Sequence, residues 1–72
     1  MAEQRFHQGD QVSWSAHGSR AYGVVRGTIT ERTRLRGRTV NASPDDPQYR
    51  VRSAGTGRDV AHRPGALRHE QG

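Results

Sequence analysis

Arg20, Arg26, Arg32, Arg34, Arg36 and Arg38 share one segment with a single acid, Glu31, whereas the six arginines elsewhere face six acids. The whole formal net charge of +5 therefore lies between residues 20 and 38. All twelve basic residues are Arg and none is Lys. A guanidinium pairs bidentately with phosphate, and an aromatic ring set among such groups can stack a base, the combination of a nonspecific nucleic-acid site. Arg26, Arg32, Arg34, Arg38, Arg50 and Arg52, with Tyr22, are the candidate set. The competing reading is a solvated, Arg-rich face that keeps the molecule soluble and its strand edges unpaired.

Other chemistries have little to stand on. His7, His17, His62 and His69 lack tight ligand spacing, and Asp45-Asp46 has no further carboxylates at regular intervals, so no metal site is expected. Asp45-Asp46, set between Pro44 and Pro47, reads as a turn whose side chains cap backbone donors. His62, just before Arg63-Pro64, reads as a buried hydrogen-bonding histidine that holds a turn. Ser13, Ser15, Ser19, Ser43 and Ser53 sit in no nucleophile motif. A chain this small fills its own interior and leaves no catalytic pocket, so no enzyme and no cofactor is expected.

The aromatics are few: Phe6, Trp14, Tyr22 and Tyr49. A cage for a methylated cation needs several exposed ring faces. Trp14 shares parity with Val12, and Tyr49 with Val51, so both belong to the core. Tyr22 is left as the surface aromatic.

These side chains need strands to hold them. Val12, Trp14 and Ala16 alternate with Gln11, Ser13 and Ser15, the period of a strand with one buried face. From Arg20 to Leu35 no proline intervenes. Ala21, Gly23, Val25, Gly27, Ile29, Thr33 and Leu35 form an inward set that only Glu31 interrupts, predicting a long second strand with a bulge or an emergence from the core near that residue. Gly23 and Gly27 let such a strand bend. Arg36-Gly37 predicts a hairpin turn into a short third strand, Arg38 to Asn41. Two prolines exclude a strand between Ser43 and Pro47. A fourth strand is expected around Tyr49 to Arg52, a fifth over Arg58 to His62, and a closing turn over Arg63 to Leu67, with Leu67 as a plug. In a meander the second, third and fourth strands adjoin, which would gather the outward arginines on one surface.

With 29% apolar residues and no cysteine, the core is small and neither a disulfide nor a thiolate zinc site supplements it. No apolar run is long enough for a membrane span, and Met1 to Gln8 lacks the apolar stretch of a signal peptide, so a soluble cytoplasmic protein is expected. The fold class expected is all-β: a five-stranded SH3-like barrel over residues 9–68 with a closing C-terminal turn. It is preceded by a flexible lead-in over 1–8, where Phe6 folds back as a lid, and followed by a polar tail over 69–72.

Gly9-Asp10-x-Val12-x-Trp14, Gly23-x-Val25, Arg38-Thr39-Val40, the run from Asn41-Ala42-Ser43-Pro44-Asp45-Asp46-Pro47 through Tyr49 and Val51, and Thr56-Gly57-x-x-x-Ala61-His62-Arg63-Pro64-x-x-Leu67 together resemble the hypervirulence-associated protein Tudor domain family. The resemblance runs from about Gly9 to Arg68, with Arg63 where the family usually has Lys. It implies a Tudor-like, SH3-type barrel, often a small stand-alone bacterial protein, and little biochemistry, because fold does not fix function. Three functions remain open. The first is a nonenzymatic module contacting nucleic acid or another polyanion. The second is a module binding a peptide, methylated or not, at a strand edge or in a groove near Tyr22. The third is a self-associating structural protein.

Overall fold

The structure is a computed structural model and describes residues 5–70. Its strands are β1 (Gln11–Ala16), β2 (Ser19–Ile29), β3 (Thr33–Leu35), β4 (Arg38–Val40), β5 (Gln48–Ser53), β6 (Asp59–His62) and β7 (Arg68–His69), with a 3-10 turn over Pro64–Ala66. Five strands form one antiparallel sheet in the order β6-β5-β2-β1-β7, while β3 and β4 form a separate hairpin. The sheet is open: β6 and β7 are its two edges and do not pair with each other. The expectation of a closed five-stranded barrel is corrected accordingly, and so is the adjacency of the second, third and fourth strands, since β5 takes the place beside β2.

The reason lies at residues 30–32. The single strand expected from Arg20 to Leu35 ends at Ile29, and the Thr33 hydroxyl donates to the Glu31 carbonyl at 2.8 Å to hold the bend that follows. Glu31 thus marks the bend between two strands rather than a bulge within one. The bulge lies earlier, at Arg26, where the pairing of β2 with β5 shifts by one residue: Val25 lies opposite Val51, but Gly27 lies opposite Arg50. One inserted residue exchanges the faces of all that follow it. Val25 therefore joins the main core, made of Phe6, Val12, Trp14, Tyr49, Val51 and Leu67. Ile29 instead joins a second cluster on the other face of the sheet with Val40 and Ala42, against which Leu35 and Ala61 pack. The hairpin is thereby folded over the outer face at the β5–β6 end.

Val12, Trp14, Val25, Ile29, Tyr49, Val51 and Leu67, expected inside, are buried, and so is Val40. Two-residue turns at His17-Gly18 and Arg36-Gly37 have positive φ at both positions (49° and 82°, 53° and 78°), the backbone twist that suits a tight hairpin. Gly23 is needed for a different reason: a Cβ there would collide with the Arg52 carbonyl oxygen and stand 2.9 Å from the Trp14 ring. Gly27 faces open space.

The ends of the domain are tied down by the same logic. Phe6 is buried, with its ring edge-on to Tyr49 at 5.2 Å and tilted over His69 at 4.2 Å. The Asp10 carboxylate accepts from the His7 backbone N–H at 2.8 Å and lies 3.4 Å from His69 Nε2, joining the lead-in to β7. These contacts, with the backbone bond from that N–H first, hold the Asp10 carboxyl below its usual value. The lead-in and tail expected over 1–8 and 69–72 fall partly outside the described residues, at 1–4 and 71–72. In the 43–46 turn the capping group is Ser43, whose hydroxyl accepts from the Asp46 N–H at 3.1 Å, rather than the paired aspartates.

Candidate basic binding surface

Residues directly opposite one another on paired strands share a face. On the outer face, Ser15 lies opposite Arg20, Ser13 opposite both Tyr22 and Arg68, and Val24 opposite Arg52. Arg50, two residues from Arg52 on β5, lies on this face too, opposite Ala61. Tyr22 is 52% exposed in this setting. The outer face thus brings together Tyr22, Arg50 and Arg52 from the candidate set and adds Arg20 and Arg68, which sequence reasoning left out.

The remaining candidates are distributed differently. Arg26 is exposed at the bulge and Arg32 in the bend before β3. Arg34 pairs with Thr39 and Arg38 with Leu35, so Arg34 and Arg38 occupy opposite faces of the hairpin. Arg38 takes the side of Leu35, toward the second apolar cluster, and helps to line a groove of about 780 Å³. Arg36, Arg58 and Arg63 line the same groove. Only the folded chain brings the hairpin tip beside the two ends of β6, so no local pattern could have announced this cluster.

Charge on the outer face is partly compensated. The Asp59 carboxylate accepts from Arg50 Nε at 2.7 Å on one oxygen and from Arg52 Nε at 3.0 Å on the other. These bonds, the one from Arg52 first, hold the Asp59 carboxyl below its ordinary value. Ser13, fully buried, donates to Glu70 at 2.6 Å and accepts from Arg20 at 2.7 Å, so its hydroxyl is satisfied on both counts. A second groove, about 690 Å³, lies between Phe6, Tyr49, the 44–47 turn and Pro64.

His62 is half-buried with its ring 5.1 Å from that of Trp14 and tilted 40° to it, so a ring–ring contact is what places it. Burial lowers its pKa from 6.5. Between the two values the unfolded chain binds more protons than the folded one, so the neutral ring's contribution is full above pH 6.5 and is lost as pH falls through the lower folded value. Melting temperature should therefore drop between pH 7 and 5, and His62→Phe, which keeps an aromatic ring on Trp14, should flatten that slope. A variant as pH-sensitive as the parent would assign the effect elsewhere.

Residues 9–67 match the family described as hypervirulence associated proteins TUDOR domain, which is most of the chain. The chain belongs to this family. The match is in keeping with an all-β Tudor domain and with a small binding module in general. Neither a curated protein nor a solved structure gives a significant match. No helix among the described residues of this Tudor domain is long and apolar enough to cross a membrane.

Proposed function

We propose that this Tudor domain is a nonenzymatic module that binds nucleic acid or another polyanion, weakly and without strong sequence preference, through Arg26, Arg32, Arg34, Arg38, Arg50, Arg52 and Tyr22. The observation that carries the reading is the confinement of the whole net charge to residues 20–38. The exposure of each of these arginines, and of Tyr22 on a sheet face that also holds Arg20, Arg50, Arg52 and Arg68, supports it. Exposed guanidinium groups release counterions from a phosphate backbone, and a ring among them offers a stacking platform.

Fluorescence anisotropy with labelled single- and double-stranded oligonucleotides at low salt tests this. Arg32→Glu with Arg34→Glu should weaken binding similarly across sequences and leave the fold intact, both side chains being in water. Tyr22→Ala should selectively weaken single-stranded binding, by about 1–3 kcal/mol. Binding indifferent to the double charge reversal, or no binding, would count against the reading. The free edges of β6 and β7 favour a second reading, strand addition by a peptide. That mode would survive high salt.

A further inference from the structure

Of the arginines that line the groove between the β3–β4 hairpin and β6, only Arg38 is in the set read from sequence. Four guanidinium-bearing residues line it, Arg36, Arg38, Arg58 and Arg63, with the side-chain amides of Asn41 and Gln48. Among the described residues, no carboxylate pairs with Arg36, Arg38 or Arg58, while Arg63 stands 3.4 Å from Asp46, both side chains more than half exposed. Asp59 is the groove's one carboxylate, and both its oxygens are already held by Arg50 and Arg52 from the sheet face. Unpaired cations converging on one concavity raise the local concentration of anions. No Phe, Tyr or Trp lines the groove, and the one aromatic ring at its wall is the exposed imidazole of His17, so guanidinium charge rather than ring surface dominates it.

We propose that this groove is the seat of a linear run of phosphates, gripped by Arg36, Arg38, Arg58 and Arg63 with no reading of bases. The inference rests on the polyanion reading above and gives that reading a location and a ligand chemistry: a phosphodiester or phosphoanhydride chain. Base stacking, where it occurs, belongs to Tyr22 on the sheet face.

The test uses a fluorescein-labelled oligothymidylate as reporter, displaced by three competitors at equal total phosphate: an abasic oligodeoxynucleotide of the same length, inorganic polyphosphate, and monomeric phosphate. The abasic strand and the polyphosphate should displace the reporter within a few-fold of unlabelled oligothymidylate, and monomeric phosphate at least a hundredfold less well. Competition by the abasic strand alone would assign the groove to nucleic-acid backbone; competition by both would assign it to phosphate chains generally. Arg36→Asn with Arg58→Glu, Asn being tolerant of the positive φ at position 36, should weaken reporter binding at least tenfold. It should also reduce the salt slope by about 1.4, two contacts at roughly 0.7 each on a single strand. Circular dichroism checks that the variant is folded. If this variant binds as well as the parent while Arg32→Glu with Arg34→Glu does not, the groove is refuted and the polyanion reading stands. If oligothymidylate binds but neither chain of bare phosphates competes, the groove is likewise refuted. If no polyanion binds at all, both fail together.

Discussion

Trp14→Ala should leave the chain largely unfolded at ordinary temperature. Trp14 is only 5% exposed and belongs to the main core, with its indole beside the His62 ring and its edge close to Gly23. Truncating a buried aromatic to Ala removes its transfer free energy and leaves a cavity, together about 3–5 kcal/mol. At roughly 0.05–0.15 kcal/mol per residue a 72-residue chain has about 4–11 kcal/mol of stability, and a core this small belongs at the low end, where that loss takes most of the total. Urea titration followed by far-ultraviolet circular dichroism reads the outcome. A folded variant with a midpoint close to the parent's would show that the core does not depend on this ring.

Gly23→Ala should be nearly as damaging although it adds one methyl group. Gly23 lies on β2 with Val12 of β1 on one side and Ser53 of β5 on the other, so the backbone around it cannot shift without opening the sheet. The added Cβ meets the Arg52 carbonyl as well as the ring edge of Trp14. Overpacking costs typically about 1–3 kcal/mol, and a clash with backbone belongs at or above the upper end. Replacing Trp14 by Phe should not rescue it, because the carbonyl remains. Gly27→Ala, four residues on and facing open space, is the matched control and should be neutral or slightly stabilising by reducing unfolded-chain entropy. Equal effects at the two positions would refute the close-approach account.

This pair of glycines shows what the sequence can and cannot disclose. Alternation identified β1 to the residue and placed Val12, Trp14, Val25, Tyr49 and Val51 in the main core, because burial on one face of a strand is written in parity. Parity cannot reveal an insertion that leaves it formally unbroken. Val25, Gly27 and Ile29 read as one inward row, yet the bulge at Arg26 sends Ile29 to the opposite face, where it anchors the hairpin. Glu31 did signal a discontinuity, and only pairing partners distinguish the end of a strand from a bulge within it. The return of Phe6 onto the domain is legible, but its partner is not, nor is the short β7, since each is ordered by residues more than forty positions away: Phe6 by Tyr49, and β7 by Val12 and Ser13.

The candidate surface divides along the same line. Tyr22, Arg50 and Arg52 could be placed outward from alternation within their own strands. That Asp59 would engage both arginines depends on the register between β5 and β6. Arg36, Arg58 and Arg63 carry no local pattern at all. Arg36 reads as a turn residue and the other two as flanks of a strand, and only the folding of the hairpin over the sheet makes them neighbours.

Salt dependence of duplex binding tests the central claim most directly, because it counts neutralised phosphates without requiring the ligand's sequence. Anisotropy measured across a salt series with a labelled duplex of arbitrary sequence gives the slope of log affinity against log salt. Three or four arginines engaging phosphate predict a slope of about −3 to −4, at about −0.9 per contact. Arg32→Glu with Arg34→Glu should make that slope shallower. A slope near zero, or one that the double reversal leaves unchanged, would contradict a polyanion-binding role for this Tudor domain.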